Sequence, residues 1–382
     1  MAALEHVYLD YNATAPIRPE VIAVVTEIMS TVGNASSVHQ AGRKARQRVD
    51  TARKQIADLV GATARNVTFT GGGTEADNLA LRGFLPRRLI VSGIEHGAIL
   101  SPALLLDRDA VIVDVDDQGR IKLDALKAAL EANQDAGGGP ALVSLMLANN
   151  ETGVIQPVAE AAALAHEYDA LVHCDAIQGA GKIPIDIEAL GVDLMSISAH
   201  KLGGPQGVGA LIMREDRTIL AQMAGGGQEM GRRSGTENVA GIAGFGVAAQ
   251  LAVEGLAEFE QLAVLREGME DRLAQIAPDR RVIGGDAPRV SNTSCVTMPG
   301  VRSDTQVMAL DLAGIAVSAG SACSSGKVSA SHVLDAMGVD MDEAMTAIRV
   351  SLGRSTTSAD IDRFLTAWTE IYRRNSSHTN AA

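Results

Sequence analysis

Between residues 66 and 198 the chain alternates short apolar, β-branched runs with longer stretches of helical periodicity. The predicted strands cover residues 66–70, 88–92, 110–115, 142–147, 171–174 and 194–198. These runs are apolar at nearly every position rather than every second one, so both faces need cover, and a parallel sheet between two helix layers is expected. The fold class is α/β, built from βαβ units in a doubly wound or closely related sheet. Over residues 251–276 the pattern becomes one long, charged, amphipathic helix without a strand. The domain boundary is placed there, giving a large domain of residues 11–256 and a smaller α+β domain of residues 257–382 joined by residues 1–10. Strands at 282–283, 293–298, 315–317 and 348–352 are predicted in the second domain.

A length of 382 residues suits two domains, and 46% apolar residues suffice for a sizeable core. The formal charge of −13 repels phosphate backbones and anionic lipid, which argues against nucleic-acid or membrane partners. Cys174, Cys295 and Cys323 make no CxxC pair and no disulfide framework, as in a reducing compartment. The first ten residues lack a basic and an apolar region, so no signal peptide is expected. The weakly polar run 241–253 is too short to span a bilayer, and a cytoplasmic location is the expectation.

In sheets of this kind ligands sit beyond the carboxyl ends of the strands. The strand ending at Thr70 runs into Gly71-Gly72-Gly73-Thr74 and then a helix, a start whose free amides and dipole suit an anion. The same residues fit G-x-G-x-x-A, with Glu95 about 20 residues on, so a nicotinamide oxidoreductase is a rival reading. Strand 171–174 leads to Asp175 and Gln178, and strand 194–198 leads to His200 and Lys201. A lysine at a buried strand end is costly unless it is used covalently or its charge is matched. Pyridoxal 5'-phosphate (PLP) requires a lysine, a carboxylate for its ring nitrogen and a phosphate pocket. Lys201, Asp175 and the Gly71–Thr74 turn supply the three. Taken singly, Asp175 reads as a helix cap and His96 and His200 as turn histidines; together they converge on one crevice. Cys174 and Cys295 read as packing residues, and no metal is expected.

The segments Tyr8-Leu-Asp-Tyr-Asn-Ala-Thr-Ala-Pro16, Gly73-Thr-Glu75, Glu95-His96, Asn149-Asn-Glu-Thr-Gly153, His173-Cys-Asp-Ala-Ile-Gln178, Ser198-Ala-His-Lys201, Gly231-Arg-Arg-Ser-Gly-Thr-Glu-Asn238 and Gly320-Ser-Ala-Cys323 resemble the cysteine desulfurases of the class V aminotransferase family. The resemblance implies a type I PLP-dependent transferase fold. It makes Lys201 the Schiff-base lysine and Asp175 the partner of the ring nitrogen. His96 would stack on the ring and assist proton transfer, and Asn150 and Gln178 would meet the ring hydroxyl. Gly73, Thr74, Ser198 and His200 would hold the phosphate, with Thr236 reaching it from the second subunit of a homodimer. Asn12, Asn150 and Arg349 would bind the substrate, the guanidinium forking onto its carboxylate.

The implied reaction converts L-cysteine to L-alanine. Lys201 moves the α-proton, and sulfur passes to Cys323 as a persulfide and then to an acceptor protein such as an iron–sulfur scaffold. Cys323 lies in Ser318-Ala-Gly-Ser-Ala-Cys-Ser-Ser-Gly326, a run of small residues in which mobility is expected. Alternatives are a selenocysteine lyase or another class V aminotransferase, and, further off, a non-catalytic scaffold.

Overall fold

The computed structural model describes residues 6–84, 88–214, 217–320 and 331–379. After a short strand β1 (Val7–Tyr8), the first half of the chain lays down β2 (Val67–Thr70), β3 (Arg88–Ser92), β4 (Val111–Val113), β5 (Ala141–Met146), β6 (Leu171–Asp175), β7 (Leu194–Ser198) and β8 (Gly209–Met213). The last seven form one sheet in the order β2-β8-β7-β6-β5-β3-β4. Pairings among β3 to β7 are parallel, whereas β8 runs antiparallel to both β2 and β7. The sheet is thus mainly parallel, as the continuous apolar runs predict. The antiparallel β8 and its insertion beside β2 are not visible in the periodicity.

Alternate residues along each strand serve different cores. On one face Val143, Leu145, Val172, Cys174, Met195 and Ile197 pack with Val49, Ile56, Phe245 and Ala161 from the helices Gln40–Leu59, Val239–Glu254 and Val158–His166. On the other face Leu89, Val91, Leu142, Leu171, Leu194 and Leu211 meet Leu79, Ala80 and Ile99 from the helices Gly73–Gly83 and Gly97–Leu106. Burying one such aliphatic side chain contributes about 1.5–3 kcal/mol.

The helix predicted over residues 251–276 is broken into Val239–Glu254, Leu256–Glu260 and Leu262–Ile276. Gly255 ends the first segment, its amide bonding back to Leu251 and Val253, where an added side chain would have favoured continuation. The strands β9 (Thr293–Thr297), β10 (Ile315–Ala316), β11 (Ser318–Ala319) and β12 (Ala347–Ser351) follow. The segment 282–283 makes only an isolated bridge from Val282 to Val296 rather than a strand. Strands β11, β12 and β9 form an antiparallel sheet in that order, while β1 pairs with β10 in parallel. Val7 and Leu9 are buried with Phe364, Trp368, Ile348 and Leu273 in a separate apolar cluster.

Among the described residues no single helix is long and apolar enough to cross a membrane.

Candidate active site

The carboxyl ends of β5, β6 and β7 open into a cavity of about 820 Å³. Its walls include Gly73, Thr74, His96, Asn150, Asp175, Gln178, Ser198, His200, Lys201, Asn12 and Arg349. All but two of the residues that the resemblance assigns to the site therefore meet in one place. Thr236 lies instead in a smaller cavity with Gly71, Glu229 and Arg233, and Cys323 lies outside the described residues.

Each wall has a local cause. Asp175 ends β6, in register with Met146 of β5 and Ser196 of β7. Its Oδ1 accepts the Ile177 amide at 2.9 Å. Burial raises its pKa, opposed by that amide and by the positive charge of Lys201. Lys201 closes the short helix Ala199–Lys201 after β7, and its Nζ donates to the main-chain oxygens of Asn12 at 2.5 Å and Ala13 at 2.8 Å. Burial, then the nearby Arg349 guanidinium, lower this amine to about 8, so a neutral fraction exists at physiological pH.

His96 caps the helix Gly97–Leu106, its Nδ1 accepting the Ala98 amide at 3.1 Å. In the neutral ring the proton then sits on Nε2. Neutrality is favoured, because burial and the charge of Lys201 lower its pKa. The residue is exposed and its ring lines the cavity. His200 is pushed down to about 4 by the same two causes and contacts the Thr14 hydroxyl at 3.2 Å.

At the phosphate-like end, helix Gly73–Gly83 starts at the cavity with Thr74 in its first turn, and Ser198 faces it from β7. A Cβ on Gly73 would come within 2.3 Å of Ile177 Cδ1, so a larger residue there requires the tip of that side chain to move. Glu75 takes the Gly71 amide at 2.7 Å and is itself held by Arg233 at 2.9 Å. Arg233 belongs to a segment anchored below by a buried pair in which Arg53 forks onto Glu229 at 2.7 and 2.8 Å.

The opposite end is cationic. Arg349 of β12 donates to Asp10 Oδ1 at 2.7 Å and to the Asn150 carbonyl at 3.0 Å, which leaves its buried Nε unpaired.

Two groups escaped the sequence reading. Lys182 is buried behind Gln178, and Glu151 lines the cavity, bonded by the Ser331 hydroxyl at 2.6 Å and raised by burial to about 7. Glu151 stands inside a motif read only for Asn150, and Lys182 follows a glycine-rich turn that resembles surface. Behind Asp175 the wall is polar. His173 joins the Ser144 and Ser196 hydroxyls at 2.9 Å each, with the fully buried Asp77 and Glu95 nearby, both raised by burial and by the charge of Asp175.

The arrangement contradicts the nicotinamide reading. Glu95 is fully buried with Oε1 on the Met146 amide at 2.7 Å, so it cannot reach a ribose. The strands on either side of the glycine turn, β2 and β3, are separated in the sheet, whereas a dinucleotide unit needs them adjacent. Cys174 and Cys295 are fully buried thiols packed in apolar clusters.

The residues present fit PLP by their chemistry. A carboxylate with one hydrogen-bond donor, an amine of lowered pKa, hydroxyls at a helix start and a guanidinium line one cavity of suitable size.

Residues 7–364 match the family described as Aminotransferase class-V. The IscS-like cysteine desulfurase of Mycobacterium tuberculosis is 42% identical over 373 residues, covering 94% of this chain and 94% of its own. The NifS-like protein of Rickettsia africae shares the fold with a TM-score of 0.89 at 38% identity, over 97% of this chain and 100% of that one. A solved structure of SspA in complex with cysteine matches at a TM-score of 0.78 and 29% identity, over 91% of this chain and 98% of its own. With a family match spanning most of its length and relatives of this closeness, the chain belongs to the class-V aminotransferases, a family of PLP enzymes, and within it to the cysteine desulfurases.

Proposed function

We propose that this cavity binds PLP and L-cysteine, and that the chain converts L-cysteine to L-alanine while Cys323 takes the sulfur. The observation that carries the reading is the convergence of Lys201, Asp175, Thr74, Ser198 and Arg349 on one cavity. When bound, PLP supplies an electron sink for the carbanion next to the substrate carboxylate.

The chain's own groups do the rest. Asp175 would partner the ring nitrogen and favour its protonated form, and Asn150 and Gln178 would hold the ring hydroxyl. Gly73, Thr74, Ser198 and His200 would hold the phosphate, completed by Thr236 of a second copy in a homodimer. His96 would stack on the ring, its Nε2 carrying a proton that it could donate. Arg349 turns guanidinium donors to the substrate carboxylate, with Asn12 and Asn150 beside it. Lys201 Nζ, with its lowered pKa, moves the α-proton. The Cys323 thiolate attacks the substrate sulfur. A sulfur–sulfur bond forms, the substrate's carbon–sulfur bond breaks, and its electron pair ends as a carbon–hydrogen bond at the β-carbon. Cysteine plus the Cys323 thiol give alanine plus the Cys323 persulfide, with no external oxidant or reductant. The persulfide then passes its outer sulfur to an acceptor protein, such as an iron–sulfur scaffold. The domain division at 256/257 places Arg349 and Cys323 on one unit and Lys201 and Asp175 on the other.

The test is alanine and sulfide release from L-cysteine in the presence of a thiol, with the mass of the Cys323 peptide measured after one turnover. Addition of one sulfur to that peptide, and loss of sulfide release in Cys323→Ala, are expected. Undiminished sulfide release by Cys323→Ala refutes the persulfide step.

A further inference from the structure

Lys182 is the other lysine of this region, and nothing in the reaction just described uses it. It follows Gln178 by four residues on the turn after β6 and is only 5% exposed. It is absent from the cavity wall. Its Nζ donates to Gln178 Oε1 at 2.6 Å and to Asn12 Oδ1 at 2.6 Å.

An amide side chain can present either its oxygen or its nitrogen, and a lysine has only donors to offer. Contact with Lys182 therefore settles the orientation of both amides. With Oε1 taken, Gln178 Nε2 donates to the main-chain oxygen of Asn12 at 2.9 Å. With Oδ1 taken, Asn12 Nδ2 donates to Thr293 Oγ1 at 2.9 Å and to the Asn150 carbonyl at 3.2 Å. The Asn12 main-chain oxygen that receives Gln178 also receives Lys201 Nζ. One buried amine thus lies behind three groups on the cavity wall.

We propose that Lys182 is a positioning residue of the active site: by binding the two amide oxygens from behind, it holds Asn12 against Thr293 and Asn150 and leaves Gln178 its remaining N–H, rather than its oxygen, for the bound cofactor. This rests on the reading that those two residues meet PLP and L-cysteine. Two further observations agree with it. Burial, reinforced by the charges of Lys201 and Arg349, holds the Lys182 amine well below its ordinary pKa. Its two hydrogen bonds run to the two amide oxygens. Asn292 supports the same Asn12 oxygen with a donor at 3.2 Å. Without Lys182 the Gln178 amide keeps only its Nε2 bond to the Asn12 main chain, and its oxygen loses its partner.

The experiment compares Lys182→Met, which keeps the stem and removes both donors, with Lys182→Gln, which restores two uncharged N–H groups. Both are purified with PLP. Read out are the pH titration of the cofactor's visible absorbance without cysteine, the rate of cofactor release on dilution, and the melting temperature. For Lys182→Met a displaced absorbance midpoint and about tenfold faster release are expected, from the loss of buried hydrogen bonds; Lys182→Gln stays within about twofold of the parent. The proposal is overturned if Lys182→Met titrates and releases like the parent while merely melting earlier, or if both variants shift equally. Should Lys182→Met fail to fold, Lys182→Gln decides, and a shifted titration there overturns the proposal. A parent protein without any cofactor band overturns the reading of the site itself, and this inference with it.

Discussion

Replacing Glu151 with glutamine exchanges a buried acid for an amide of the same shape. The carboxyl is 5% exposed and accepts the Ser331 hydroxyl, yet burial outweighs both that bond and the nearby Arg349 charge and lifts its pKa from 4.5 to about 7. Between those two values the folded protein keeps a proton that the unfolded chain has lost. The contribution of Glu151 to stability is therefore complete below pH 4.5, declines as pH rises, and levels off above about 7. At about 1.4 kcal/mol for each tenfold step, the loss amounts to about 3 kcal/mol by pH 8. With an unfolding entropy of about 2 cal/mol/K per residue, that corresponds to about 4 °C in a cooperative transition of the whole chain. Glutamine does not titrate, so the melting curve of Glu151→Gln minus that of the parent is expected to be flat below pH 4.5, to climb toward pH 7, and to reach about 4 °C at pH 8. Any change in the bond to Ser331 adds a constant offset. A difference that is the same at every pH, or one that grows on the acid side, refutes the reasoning.

Two more substitutions probe the ends of the site. Arg349→Lys keeps the charge and loses the fork, so the KM for L-cysteine is expected to rise about 10- to 100-fold in steady-state assays, and a KM within about twofold of the parent contradicts carboxylate binding by Arg349. Arg53→Met strands the buried Glu229 carboxylate and is expected to cost about 3–5 kcal/mol in urea denaturation, with much of it recovered by adding Glu229→Gln.

The central strands were legible because helices cover both of their faces, which forces apolar residues at consecutive positions. The same burial hid the direction of β8: Gly209–Met213 is as buried as the parallel strands of the same sheet, and hydrophobicity does not encode strand polarity. Gly255 marked the break in the long charged helix, but the apolar period carried across it. In the site, Lys201 and Asp175 stood out because charged groups ending apolar strands demand a reason. Lys182 lacked that context. Its burial arises from the chain folding Asn12 over the turn after β6, a contact between residues 170 positions apart that no local pattern records. Glu151 is hidden for a similar reason, since its partner Ser331 lies 180 residues downstream.

The pairing of β1 with β10 has a consequence for synthesis. Residues 7–8 pair with residues 315–316, the Val7 and Leu9 amides donating to the Gly314 and Ala316 carbonyls, and Tyr11 and Asn12 lean on Ser351. Asn12 and Ala13, which receive the Lys201 amine, thus hang from strands translated some 300 residues later. While the ribosome is still working through the last third of the message, the N-terminal segment has no strand to join, although the seven-stranded sheet is already complete in sequence. A nascent chain stalled before residue 315 is therefore expected to hold its α/β layers without capturing the cofactor, so that ligand acquisition reports completion of the polypeptide.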